Sequence, residues 1–152
     1  MIGALRNRRI KVLIILILIS IFWGTMNFDW QDYLKLAEYM NKNIDAFPNK
    51  EACCRASISR AYYSVFCTVR NYIKKNDGEE FSGSSHEAIP RYLMNSNNKI
   101  RQRIGRQLKN FSQDRVRADY YDSWNKPQNT VLTAQKSASL AKRILSGLDD
   151  LM

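Results

Sequence analysis

Between Lys99 and Arg117 the chain carries seven basic residues, Lys99, Arg101, Arg103, Arg106, Lys109, Arg115 and Arg117, opposed only by Asp114. Cations at that density neutralise phosphates. The run leads into Tyr120, Tyr121 and Trp124, whose rings offer faces on which unpaired bases stack. Together these residue types suit the gripping of single-stranded RNA. The plainer reading is a solvated helix face, because Ile100, Ile104, Leu108 and Phe111 form an inward stripe that turns most of the charges to water. A second basic–aromatic group lies upstream in RASISRAYYSVFCTVRNYI, Arg55 to Ile73. Arg55 and Arg60 sit early in that stretch, beside Tyr63. They either satisfy acceptors at a packing seam or line a functional groove.

Other chemistries are poorly equipped. His86 is the sole histidine, and its default role is that of a surface residue at a helix start. No Ser/His/Asp set and no glycine-rich phosphate loop occurs. Three cysteines, two of them adjacent (Cys53 and Cys54), form neither a C-x-x-C pair nor a Cys/His cluster, so neither a metal nor a cofactor is expected. Cys67 reads as a small hydrophobe, and free thiols point to a reducing compartment, most simply the cytoplasm. Asp119 beside Arg115 and Arg117 reads as a salt-bridge partner fixing a loop rather than as a general base.

The elements that must carry these residues are helices. Glycine and proline are scarce in the 152 residues, and β-branched alternation is nearly absent. A first helix is expected from Asp29 to Asp45, with Trp30, Tyr33, Leu34, Ala37, Met40 and Ile44 on one face. A turn containing Pro48 leads to a second helix, Glu51 to Lys75, with lysines in its last turn and Gly78 beyond. Its apolar stripe is Ile58, Tyr62, Phe66, Val69 and Ile73. Beside it run the small residues Ala52, Ala56 and Ser59. Ser84 and Glu87 form a capping box for a short helix, which Pro90 makes brief or delays. After NSNNK comes the third main helix. Ser112 to Asn129 reads as irregular and aromatic. A last helix, Thr130 to Leu151, turns Ala134, Ala138, Ala141, Leu145 and Leu148 inward. The expectation is all-α: an up-and-down four-helix bundle with one additional short helix, occupying residues 26–152.

A hydrophobic segment precedes it. Residues 1–25 hold four basic residues and no acid, and Val12 to Trp23 is a twelve-residue apolar run, short of the roughly 20 that span a bilayer. No small-x-small cleavage site follows. Two accounts stand: an upstream extension from a misassigned start codon, with Met26 the natural start, or a membrane anchor through residues 12–28. The net charge of +10 leaves +6 after residue 25, a surplus that favours a polyanionic partner without distinguishing RNA, DNA or anionic lipid.

The elements RASISRAYYSVF and RVRADYYD together resemble the HEPN superfamily. More narrowly, they are similar to small prokaryotic HEPN proteins with an R-x-x-I-S-R-A-Y-Y helix and a downstream R-x-x-A-D-Y element. The matching positions are Arg55, Ile58, Ser59, Arg60, Ala61, Tyr62 and Tyr63, then Arg115, Ala118, Asp119 and Tyr120. The resemblance covers about residues 28–150. It implies a helical bundle, often homodimeric, in toxin–antitoxin, defence or RNA-processing settings, and frequently encoded beside a minimal nucleotidyltransferase. Active HEPN nucleases carry an R-x4–6-H motif and cleave RNA without metal through attack by the 2′-hydroxyl. Here Arg115 is followed by Tyr120, and the histidine is absent. A phenol of pKa near 10 is a poor base at neutral pH.

The implied catalytic pair is thereby reduced to Arg115, orienting a phosphate, and Tyr120, donating a hydrogen bond. Arg55, Arg60, Tyr63, Arg103, Arg106, Arg117 and Asp119 are expected around an RNA or nucleotide. Two functions follow. One is an RNA- or nucleotide-binding HEPN protein with feeble metal-independent cleavage. The other is a non-catalytic module whose arginine–aromatic seam is a homodimer contact or the docking face for a nucleotidyltransferase. A membrane partner enters only if residues 1–25 are genuine.

Overall fold

The computed structural model describes residues 28–82, 85–124 and 127–151. The N-terminal extension and Ser84 of the expected capping box lie outside them. Among the described residues the fold is all-α, with α1 (Asp32–Lys42), α2 (Lys50–Asp77), α3 (Ser85–Met94), α4 (Lys99–Tyr120) and α5 (Pro127–Asp149), and a single 3-10 turn at Ile44–Ala46. None of these helices is long and apolar enough to cross a membrane.

The first helix is shorter than expected at both ends. Asp29 accepts the backbone N–H of Gln31 (2.9 Å), so it forms a turn ahead of α1 rather than its first residue. At the other end the side chain of Asn43 donates to the Tyr39 carbonyl (2.8 Å). A short amide that takes over a helix carbonyl ends the helix there.

The long central helix α2 is framed by local chemistry. The Asn49 side chain accepts the N–H of Ala52, an N-cap. Gly78 leaves in the left-handed conformation at φ 71°, where a Cβ would be strained. Ile58, Tyr62, Val65, Val69 and Ile73 are fully buried, as are the small residues Ser57, Ala61 and Ser64. Of the small residues expected along α2, Ser59 is buried, Ala56 partly so and Ala52 exposed; on α5, Ala134, Ala138 and Ala141 are all buried. The two helices form the most intimate pair in the bundle. The Ser57 hydroxyl lies within reach of the Ala37 carbonyl and Asn41 Oδ1, which pins α1 antiparallel to α2.

Two expectations fail in the second half, each for a physical reason. The helix containing Pro90 is neither delayed nor cut short: α3 runs through it to Met94. Pro90 is buried, and α3 meets α4 at Gly105, where any Cβ would come within 2.7 Å of the Pro90 carbonyl. Likewise Ser112 to Tyr120 is not irregular but completes α4. The buried stripe Ile104, Leu108, Phe111 continues at the same spacing through Arg115 and Ala118. A guanidinium at a core register is what hid the helix from hydrophobic patterning.

Candidate functional site

Arg55 closes the C-terminal end of α4. Its Nε donates to Glu51 Oε1 (2.9 Å), and one terminal nitrogen donates to the carbonyls of Ala118 (3.2 Å) and Tyr121 (2.6 Å). Carbonyls at a helix end lack intrahelical partners, and a cation there meets the negative end of the dipole. Its guanidinium also lies 5.7 Å from the Trp124 ring. Arg55 thus holds α4 and the aromatic segment after it in place.

One turn further along α2, the remaining motif residues converge. Arg115 is only 6 % exposed, and its guanidinium lies 5.3, 5.7 and 5.9 Å from the rings of Tyr62, Tyr63 and Tyr120. Its closest carboxylate, Asp119, stands off at 3.9 Å, and the buried Nε–H has no acceptor. Asp119 is instead reached by the Ser59 hydroxyl at 3.4 Å. Arg60 approaches Ser59 Oγ at 3.5 Å and spreads over Tyr33 and Tyr63 at 4.7 and 5.5 Å. Tyr120 is 70 % exposed. Arg60, Tyr63, Arg115, Asp119 and Tyr120 therefore share one corner. In it a buried, under-paired cation lies behind a solvent-facing phenol.

His86 belongs to the same neighbourhood. Its Nδ1 is 2.9 Å from the hydroxyl of Tyr62, and its ring lies 4.2 Å from that of Phe66. Burial, and secondarily the positive charge of Arg115, holds the imidazole below its ordinary pKa. Burial likewise pushes the Tyr62 phenol well above its usual range, against the pull of Arg115.

A family model described as HEPN domain matches residues 31–151. This chain belongs to the HEPN family. No curated protein and no solved structure matches it. Membership carries the coarse setting of that family, nucleotide- or RNA-related or of toxin–antitoxin type, and HEPN domains commonly dimerise.

Within the HEPN bundle the other expected residues are dispersed. Arg103 lies beside Gly147 of α5, 3.3 Å from where a Cβ there would stand. It and Arg106 sit on the exposed surface of α4, two to three turns from Arg115. Arg117 lies 5.5 Å from the Trp124 ring. Together with Tyr121 and Lys136 it lines a cleft of about 430 Å3 between the end of α4 and the start of α5. Asp114 is the closest acid to Arg117, at 4.0 Å, and burial raises its pKa. Among the described residues no group of histidines, cysteines and acids is placed to hold a metal ion.

Sequence reasoning set His86 aside as a surface residue at a helix start. The aromatic run Tyr62, Tyr63 and Phe66, spaced to cover one face of α2, was the available pointer to a partner ring. Which side chain would fill that place depended on where α3 docks.

Proposed function

We propose that this HEPN protein is of toxin–antitoxin or defence type and binds RNA, with at most weak metal-independent cleavage. The single observation that carries the reading is the state of Arg115. A guanidinium removed from water is costly unless fully paired, and under-paired charges of this kind mark functional sites. Here one N–H has no acceptor and the closest carboxylate is 3.9 Å away. A phosphate approaching past Tyr120 would supply the missing acceptors. Arg60 would add a second cation, and Tyr63 and Tyr120 the rings. Apart from this corner, the outward side of α4 carries Arg106, Lys109, Arg117 and Tyr121, all exposed. Cations interleaved with exposed rings are what single-stranded nucleic acid requires.

With the family histidine replaced by Tyr120, the corner can polarise a phosphodiester but holds no base matched to neutral pH. Binding therefore outweighs cleavage. The test is fluorescence anisotropy of a labelled single-stranded RNA at several salt concentrations, wild type against Arg115→Met. A parallel incubation with EDTA scores cleavage in wild type and Tyr120→Phe. Salt-dependent binding lost in Arg115→Met supports the reading.

A second reading, a non-catalytic module contacting itself or a nucleotidyltransferase, is favoured by the exposed rings of Tyr120 and Tyr121. Arg55 takes no part in either reading, since its donors go to the chain's own Glu51 and carbonyls. A stable dimer with no affinity for RNA would decide for the second reading. Residues 1–25 are, in the same proposal, a hydrophobic extension, either a membrane anchor or the product of a misassigned start, ahead of a bundle of residues 26–152. Their removal should leave the melting temperature unchanged.

A further inference from the structure

A second cleft, of about 300 Å3, opens between α3 and α4, lined by His86, Glu87, Arg91, Lys109 and Gln113. His86, Glu87 and Arg91 come from α3, and Lys109 and Gln113 from α4, so the lining holds two cations and an amide to one carboxylate. Neither Arg91 nor Lys109 has an ion-pair partner among the described residues.

The proton on His86 can be located from its partner. Tyr62 is fully buried; Arg115 can only donate to its hydroxyl, and the acceptor within its reach among the described residues is His86 Nδ1. A buried hydroxyl proton needs an acceptor. Tyr62 therefore donates to Nδ1, and the neutral imidazole carries its own proton on Nε2. The other ring nitrogen of His86, a partly buried residue that lines the cleft, is a hydrogen-bond donor, and a buried phenol fixes the ring's orientation.

The shape of the cleft selects what can enter. Pro90 and Met94 form part of its wall. Close by, the two helices touch at Gly105, where a Cβ would meet the Pro90 carbonyl at 2.7 Å and the Met94 nitrogen at 2.9 Å. A polynucleotide cannot thread between backbones in contact, but the end of one can be received. The outer rim is continuous with the basic–aromatic side of α4, since Gln113 also lines the neighbouring cleft with Val116, Arg117 and Tyr121.

We propose that the α3–α4 cleft receives a terminal phosphate monoester, that of an RNA whose body lies along α4, so that the protein prefers RNA ending in phosphate over the same RNA ending in hydroxyl. This rests on the RNA-binding reading above. A monoester carries close to two charges at neutral pH and three terminal oxygens. A diester offers one charge and two. The donor set of His86 Nε2–H, Lys109, Arg91 and Gln113 matches the former, and Glu87 sets a limit on how much weaker anions gain. A bound dianion also stabilises the imidazolium. The charged and titratable groups surrounding the ring are Tyr62 and Tyr63 on α2, Glu87 and Arg91 on α3, and Lys109 and Arg115 on α4.

The experiment compares one RNA sequence with a 5′-phosphate, a 3′-phosphate or hydroxyls at both ends, alongside ribose 5-phosphate, using the full chain. The lone histidine gives an unambiguous NMR reporter. Expected is a preference of about thirtyfold for an end phosphate, the value of one charge-assisted contact. That ratio should fall towards one in His86→Gln and in the surface variant Lys109→Ala, whose fold is checked by circular dichroism. The His86 resonances should move with ribose 5-phosphate and titrate at higher pH in its presence. If RNA binds equally with and without end phosphates and ribose 5-phosphate leaves His86 unmoved, the proposal is overturned while RNA binding stands. If no RNA binds but ribose 5-phosphate shifts His86, the cleft is a site for free phosphate monoesters and the RNA reading falls instead.

Discussion

Replacing Arg115 with methionine separates a guanidinium kept for packing from one kept for a ligand. The substitution removes the charge and leaves a flexible chain of similar reach. Lost are three ring contacts at 5.3, 5.7 and 5.9 Å, worth about 0.5–1 kcal/mol each. The pairing with Asp119 at 3.9 Å adds less than about 1 kcal/mol, because that carboxylate is 26 % exposed and solvent screens it. Recovered is the cost of a buried N–H without an acceptor, about 1–3 kcal/mol, and part of the desolvation of the cation. Loss and gain are of equal size. The melting temperature of Arg115→Met should therefore stay within about 3 °C of wild type.

RNA affinity should respond quite differently. One lost charge-assisted contact to phosphate corresponds to about 2 kcal/mol, or roughly thirtyfold weaker binding. The slope of log affinity against log salt should become shallower by about 0.7 for a single strand. Thermal melts followed by circular dichroism and anisotropy at 50 and 200 mM salt (chosen to bracket about physiological ionic strength) measure both quantities. A fall of 10 °C or more in melting temperature (about 3 kcal/mol or more), with RNA affinity intact, would show that Arg115 is a packing residue and refute the reasoning.

Three further predictions concern the frame of the site. Asp77 and Arg101 clasp the end of α2 to the start of α4, with Tyr92 donating to the same carboxylate. Asp77→Asn should cost about 3 kcal/mol by stranding a largely buried guanidinium, whereas the double change Asp77→Leu with Arg101→Met should lie within about 1 kcal/mol of wild type in urea unfolding. Gly105→Ala, which would gain about 1 kcal/mol from helix propensity, should instead lower the melting temperature by about 4–8 °C, because the new methyl meets backbone atoms at 2.7 and 2.9 Å. His86 is held below its ordinary pKa of 6.5, so the unfolded chain binds its proton more readily than the fold does. Stability from this group is complete above pH 6.5 and is lost as pH falls below it, levelling off once the folded imidazole also protonates. Urea midpoints measured down this range should decline in wild type and decline less in His86→Gln, and an NMR titration placing His86 at or above 6.5 would contradict the assignment.

The helices were legible because their stripes are long and clean. Ile58 to Ile73 and Ala134 to Leu148 alone define two of the four long rods, and Gly78 marks an end where only φ 71° fits. The site was legible in composition but not in placement. Arg115 looked like loop chemistry because a charged residue at a core position breaks the apolar pattern that signals a helix. His86 looked peripheral because its value lies in Tyr62 and Phe66, residues 20 or more positions away whose approach depends on α3 docking. Arg55 and Arg60 are five residues apart on one helix, and no local rule separates their duties. Only the position of the α4 terminus does.

That separation explains why the two motif elements occur together. Arg55 spends its Nε on Glu51 and a terminal nitrogen on the carbonyls of Ala118 and Tyr121, so the end of α4 is fixed relative to α2. Tyr62 turns its ring beneath Arg115 and its hydroxyl to His86, which sets the depth of the guanidinium and the docking of α3. Only after these residues have acted do Arg60, Tyr63, Arg115 and Tyr120 occupy one corner. Removing Arg55 should therefore damage the corner without touching a ligand, by freeing the last turn of α4. Removing Arg60 should weaken a ligand without moving α4. A pair of variants that behaved alike in both helix protection and RNA affinity would mean that scaffold and site are not divided this way.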